Sequence, residues 1–323
     1  MKLNATRNSL TLHGFEPEQL LGVVSNSYIE HYLLGPSKYD VEHHRWACGG
    51  LSVDVGRYSF PVRGIGAFPK DRHCVGYMRS LTTPTWVNGF EFELDAIQFY
   101  PAASELNYCA GRYGEWVAIM FEEEALQAAA TNRLGRELDL PARGAVNIPV
   151  SRIEHRALDR FVWRLMQRSV VDSEFIESFL AFIAGLLIHL QRDTLGSLVW
   201  QWRNRQALLA RADEYLRVRV GRPFDARKLA AAVGITERSL QRYFADAYGV
   251  TPQWWARCLA LHRARERLRT ANPRMVTVEG IASECGFHHM GRFAEYYRDL
   301  FGELPSATLS EQGCASGKPI VSA

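Results

Sequence analysis

Arg238, Gln241 and Arg242 stand three and four positions apart, the spacing that gathers side chains on one face of a helix. Their chemistry is hydrogen bonding, with no covalent bond made or broken. A guanidinium can bond bidentately to O6 and N7 of guanine, and a carboxamide to N6 and N7 of adenine. The same face could be only a solvated helix surface, and one such set does not decide. Thr236 and Ser239 flank these residues, and the Thr236 hydroxyl can cap the helix by accepting a backbone N–H of its first turn. A second polar set, His288, His289, Met290 and Arg292, follows further along the chain.

Residues suited to covalent or metal chemistry do not form comparable sets. His43 and His44 are adjacent, so on a strand they face opposite ways and cannot share one ion. Asp71 and His73 could share a face but lack a third ligand. No Gly-x-Ser-x-Gly elbow occurs. The six cysteines are scattered, with no C-x-x-C pair, which speaks against structural zinc or a disulfide scaffold. The expectation is no catalytic residue, no metal and no cofactor. A metal-dependent enzyme fused to the helical region is the lesser alternative, and stoichiometric bound iron, manganese or zinc would favour it.

The elements that must position the two polar sets are duplicated. Leu229-Ala230-Ala231-Ala232-Val233-Gly234-Ile235 matches Ile281-Ala282-Ser283-Glu284-Cys285-Gly286-Phe287 at an offset of 52. Leu240, Phe244, Tyr248, Gly249 and Pro252 then match Phe293, Tyr297, Phe301, Gly302 and Pro305 at an offset of 53, so the second turn holds one more residue. A small-residue helix, a glycine, an apolar plug and an amphipathic helix make a helix-turn-helix. Ala230 and Ala282 let two helices cross closely, and Gly234 and Gly286 end the first helix where a left-handed backbone is commonly needed. Leu240, Phe244 and Ala247 face inward in one unit, and Phe293, Tyr297, Leu300 and Phe301 in the other. Between the units, Leu261, Ala264 and Leu268 give a linking helix its core stripe. Arg263, Arg265, Arg267 and Arg269 surround it, available for phosphates or for ion pairs.

These marks, with Leu240-Gln241-Arg242-Tyr243-Phe244, Gly249-x-x-Pro252, Leu261-x-x-Ala264-Arg265 and Phe301-Gly302-x-x-Pro305, resemble the DNA-binding domain of the AraC/XylS regulators over residues 205–309. The resemblance implies two recognition helices joined by a linker helix and entering successive major grooves of double-stranded DNA. It places base reading on Arg238, Gln241 and Arg242. The second unit departs from the family pattern, since Gly291, Ala294 and Glu295 stand where polar or basic contacts are usual. Less direct readout is expected there. The stretch from Gly286 to Phe293 is similar to a branch that includes ethanolamine-operon regulators, which implies an amine as effector.

The N-terminal half reads differently. Leu51–Val55, Glu91–Ala96 and Trp116–Phe121 alternate as half-buried strands, with glycines between them. Family resemblance implies a cupin-like β-barrel that senses a small molecule and dimerises. Trp86, Tyr100, Tyr108 and Trp116, with Phe90 and Phe92, are candidates to line its pocket or to fill its core. An amphipathic helix runs from about Arg156 to Met166, and a more apolar one from about Ser173 to Arg192. Ile176, Leu180, Ile183 and Leu187 of the latter pack on the barrel or form a homodimer interface.

The chain has 323 residues, 47% apolar and 23% charged, the composition of a folded protein. Its longest apolar run, Phe179 to Leu190, falls short of the ~20 residues a bilayer needs, so no membrane contact and a cytoplasmic location are expected. Residues 203–310 carry 18 Lys+Arg against 11 Asp+Glu, a net +7, and the remainder is net −4. An Arg-rich helical third on an acidic β-rich part suits a phosphate-contacting module. The expected fold is α+β: an N-terminal cupin-like β-barrel with flanking helices over 1–195, an all-α domain with two helix-turn-helix units over 196–310, and a flexible tail over 311–323. The expected function is a sequence-specific transcription regulator, an effector-responsive activator that recruits RNA polymerase. A non-regulatory architectural DNA-binding protein is the alternative.

Overall fold

The computed structural model describes residues 1–35, 39–88, 90–188 and 198–315. The chain divides into two compact units, residues 1–31 with 38–203 and residues 32–37 with 204–323. The division between Arg203 and Asn204 falls inside a helix, whereas the boundary expected at 195/196 lies outside the described residues.

The first unit is β-rich. Its strands are β1 (Lys2–Asn4), β2 (Thr6–His13), β3 (Tyr28–Leu33), β4 (Asp40–Cys48), β5 (Leu51–Tyr58), β6 (Val62–Ala67) and β7 (His73–Ser80). They continue with β8 (Trp86–Val87), β9 (Phe90–Glu91), β10 (Ala96–Tyr100), β11 (Glu105–Ala110), β12 (Gly114–Phe121), β13 (Val146–Pro149) and β14 (Val170–Asp172). Seven of them form one sheet in the order β13-β10-β7-β12-β5-β4-β2, five form a second in the order β3-β6-β11-β8-β9, and β1 pairs with β14. Among the described residues the hydrogen-bonded strands make two large open sheets rather than the closed barrel expected. Three helices, α1 (Glu123–Leu134), α2 (Arg152–Met166) and α3 (Ser173–Leu187), share a single apolar core with both large sheets. Residues on both faces of β5, β7, β10 and β12 are buried, as in strands with cover on each side.

Local sequence explains most of these elements. Ser151 and Glu154 close a capping box at the start of α2, satisfying two backbone N–H groups reciprocally. The alternation over Glu91–Ala96 is not one strand. Leu94 and Asp95 make a turn with Leu94 exposed, and the buried strand begins at Ala96 with Ile97 and Phe99 inside. Ile176, Leu180, Ile183 and Leu187 lie in the core of the chain itself, so packing within the unit accounts for their apolar character. The rest of the helix expected to reach Arg192, from residue 189 on, lies outside the described residues.

The second unit is helical: α4 (Leu198–Val218), α5 (Ala226–Val233), α6 (Glu237–Tyr248), α7 (Pro252–Thr270), α8 (Val278–Glu284), α9 (Met290–Phe301) and α10 (Pro305–Ala315). Helix α10 carries five residues, 311–315, of the segment expected as a tail. The interior is built on α7, whose Trp255, Cys258, Leu261, Ala264 and Leu268 are fully buried. Buried Asp213 accepts hydrogen bonds from Trp255 Nε1 at 2.9 Å and the Tyr248 hydroxyl at 3.4 Å, which joins α4, α6 and α7 through one carboxylate. Among the described residues no helix is long and apolar enough to cross a membrane.

Candidate nucleic-acid interface

Helices α5 and α6 form the first helix-turn-helix, and α8 and α9 the second. Each begins with a side-chain cap. Asp225 accepts from the N–H groups of Arg227 and Lys228 at 3.0 and 3.1 Å, and Thr277 accepts from Gly280 N at 3.1 Å. The Lys228 amide holds the Asp225 carboxyl below the usual carboxylate range. Gly234 and Gly286 end the first helices with φ of 78° and 88°, a backbone shape that disfavours any side chain. Three residues separate α5 from α6 and five separate α8 from α9, because α8 also stops a residue early, so the inserted residue falls in the turn.

In α6, Leu240, Phe244, Ala247 and Tyr248 are buried, while Arg238, Gln241 and Arg242 are exposed on the opposite face. Thr236 Oγ1 accepts from Ser239 N at 3.1 Å, and its hydroxyl donates to Ser239 Oγ at 3.0 Å. These two hydroxyls therefore fix the start of α6, and the three long polar side chains project beyond it. The Arg242 guanidinium lies 5.5 Å from the Tyr243 ring centre, which limits its freedom before any partner arrives.

In α9, Phe293, Tyr297, Leu300 and Phe301 are buried, and His288, His289 and Arg292 are exposed at the N-terminal end. Met290 is half-buried beside them, and His289 caps the helix by position only, without a side-chain hydrogen bond. Gly291 and Glu295 are exposed on this same helix, so its outward face is short of donors.

The linker-helix arginines are mostly spoken for. Arg265 is largely buried, pairs with Glu303 at 3.5 Å and lies against the Phe301 ring at 5.2 Å. Arg267 pairs with Glu284 of α8. Sequence reasoning missed four cations, Arg219, Arg222, Lys228 and Arg257, which line a cleft of about 740 Å3 between the α4–α5 loop, α7 and the start of α9. His289 and Arg292 of the second polar set line it too, and Asp225 is the one carboxylate among the described lining residues. The Arg219 guanidinium rests 4.4 Å from the Tyr215 ring centre, and that of Arg257 rests 4.3 Å from Tyr296. A stacked guanidinium keeps its in-plane N–H donors available for an anion. The i, i+4 step from Tyr215 to Arg219 was a signal in the sequence; the approach of Tyr296 to Arg257 was not.

The residues that could have argued for metal chemistry are otherwise engaged. His43 is buried and His44 exposed, and His43 Nε2 meets Asp54 Oδ1 at 3.0 Å. His73 Nε2 meets Glu123 at 3.1 Å, and its Nδ1 accepts from Ala102 N at 3.1 Å. Tyr100, Tyr108 and Trp116 come together on one small cavity of the first unit, while Trp86, half-buried on β8, is not among its lining residues.

Residues 229–311 match a family model described as a helix-turn-helix domain. The chain is 27% identical over 203 residues to the "Probable thc operon regulatory protein" of Rhodococcus erythropolis, covering 60% of each protein. It is 32% identical over 133 residues to XylDLEGF operon transcriptional activator 1 of Pseudomonas putida, covering 41% of this chain and 40% of that one. The chain thus spans 60% and 40% of the length of these two curated relatives, less than two thirds of either. A solved structure, from Rhodopseudomonas palustris and titled a probable AraC family transcriptional regulator, is 36% identical with a TM-score of 0.31, covering 33% of this chain and 97% of that one. Paired helix-turn-helix units of this order, with these relatives, show a C-terminal DNA-binding domain of the AraC/XylS type.

Proposed function

We propose that the protein is a sequence-specific transcription regulator that reads double-stranded DNA through α6 and α9. The exposed Arg238–Gln241–Arg242 face of α6 carries this reading, because its donors and acceptors fit base edges and it is held rigidly by a capped helix. Helix α6 supplies most of the sequence discrimination. His288, His289, Met290 and Arg292 of α9 add a lesser part. The basic cleft beside α9 seats backbone phosphates between the two major-groove contacts, which positions the protein without reading sequence.

The relatives named as activators support activation, with RNA polymerase as the partner recruited in the cytoplasm. The first unit is the effector-sensing part, and its cavity beside Tyr100, Tyr108 and Trp116 is the seat of a small-molecule effector. The working form is a homodimer. Because Ile176, Leu180, Ile183 and Leu187 are interior, any contact made by α3 uses its outward residues, among them exposed Glu174 and half-buried Phe175 and Phe182. Selection of bound fragments from random duplex DNA by the full chain tests the main reading. Enrichment of a defined motif supports a regulator. Retention of DNA with no enriched sequence would favour an architectural protein.

A further inference from the structure

The cavity of the first unit has a composition that limits what it can hold. Its volume is about 90 Å3. Phe68, Phe92, Tyr100, Tyr108 and Trp116 supply much of the wall, and among the described residues that line it none carries a charge. Two of these rings have space because a glycine faces them. A Cβ on Gly64 would come within 2.1 Å of the Tyr108 ring and one on Gly56 within 2.3 Å of Trp116, whereas one on Gly76 would make only ordinary contact with Tyr100 at 3.4 Å. Gly64 and Gly56 are the register partners of Tyr108 and Trp116 on the neighbouring strands, so these rings lie over bare backbone.

Several polar groups near this wall are already committed, while Gln98 Nε2 and the Tyr58 hydroxyl are buried without a hydrogen-bond partner among the described residues and are neutral donors, offering no counter-charge. The Tyr77 hydroxyl donates to Asp159 at 2.9 Å, and that of Tyr100 donates to Gln98. Asp54 is a buried carboxylate close by, but it does not line the cavity. Its Oδ1 takes His43 and Arg45 at 3.0 and 2.6 Å, and its Oδ2 takes Ser25 N at 2.8 Å. A guest bearing an ammonium or carboxylate would lose its hydration and meet no counter-charge, a cost that ordinarily prevents binding.

We propose that the cavity binds a neutral, apolar molecule of about one ring, and neither an amine nor an acid. The proposal rests on the reading that this cavity is the effector seat, and it replaces the amine suggested by the likeness to ethanolamine-operon regulators. Size agrees with one ring: an engineered apolar cavity of roughly 150 Å3 takes benzene, so this smaller one must yield slightly. Met78 lines the cavity, and an unbranched thioether adapts its shape at little cost.

The test titrates the full chain with toluene, benzoate and benzylammonium at pH 7, which share a ring and differ in charge. Binding is read by intrinsic tryptophan fluorescence and by the shift in melting temperature. Toluene is expected to bind and to raise the melting temperature, with both ions at least about 100-fold weaker, equivalent to about 2.7 kcal/mol. Ala118→Leu, which fills the cavity, should abolish the toluene response. Should that variant not fold, Gly76→Ala places a methyl group in the same space with only ordinary contacts and should weaken toluene. Binding of either ion as tightly as toluene, or of none of the three, would overturn the proposal. Toluene binding that survives in a folded cavity-filled variant would instead remove the cavity as effector seat. Neither result would bear on DNA reading by α6.

Discussion

Gly286→Ala should destabilise the C-terminal unit by more than Gly234→Ala, although the two glycines hold the same place in the duplicated motif. Both have left-handed backbones, with φ of 88° and 78°. An alanine in that conformation costs roughly 1–2 kcal/mol. Stiffening of the unfolded chain returns ~0.4–1 kcal/mol. At Gly234 nothing lies within 4 Å of an added Cβ, so only this backbone difference applies. The expected net loss is about 1 kcal/mol or less. At Gly286 the Cβ would stand 3.0 Å from the carbonyl oxygen of Gly221 and 3.2 Å from its Cα. Those atoms are backbone in a turn where Gly221 itself has φ of 95°, so they cannot swing aside as a side chain would. Relieving such a contact adds roughly 1–3 kcal/mol, for a total near 2–4 kcal/mol. Urea unfolding of the full chain, followed by helical circular dichroism with slopes compared, measures both variants. Equal midpoints, or a greater loss in Gly234→Ala, would refute the argument that packing of the α4–α5 loop sets the second turn.

Other consequences are open to direct measurement. Arg242→Ala should cost ~1–3 kcal/mol of binding to the selected site and little on random DNA, and equal losses on both would make it a phosphate contact. Arg222→Gln should weaken both equally and lower the slope of log affinity against log salt by about 0.9, and an unchanged slope would empty the cleft of its proposed role. Burial lowers the His31 pKa from 6.5 to about 4, so protons bind the unfolded state more readily between those values. Stability should then be full above pH 6.5 and fall by about 3 kcal/mol as pH drops towards 4, a slope that His31→Leu should flatten. Leu180→Glu should unfold the first unit, because Leu180 is 4% exposed within one chain. A folded monomeric variant would point to a dimer contact instead.

The helical third was the more legible in sequence because its marks are local and repeated. Gly234, Thr236 and the Leu240–Phe244 stripe each state a helix end, a cap or a core face within a few residues, and the copy at Gly286 to Phe301 states them again. What escaped were contacts made at a distance. The pairing of Arg267 with Glu284, and of Arg265 with Glu303, depends on how α7 meets α8 and the start of α10, so the linker arginines read equally as phosphate ligands. In the β-rich unit, alternation marked β5 and β12 but misread Glu91–Ala96, where a turn happens to carry alternating residues. Sheet closure has no local signature, and the open edges at β2 and β13 had to be seen in the pairing. The same holds for the rings over Gly56 and Gly64: aromatic residues announce a core or a pocket, but only cross-strand register says which glycine each one covers.

Guanine N7 methylation interference on the selected DNA site tests the central claim most directly. Two clusters of interfering guanines are expected on one face of the duplex, about 10–10.5 base pairs apart, with the stronger cluster lost in Arg242→Ala. A single cluster unaffected by Arg242→Ala, or no interference in the major groove, would contradict reading by twin helices led by α6.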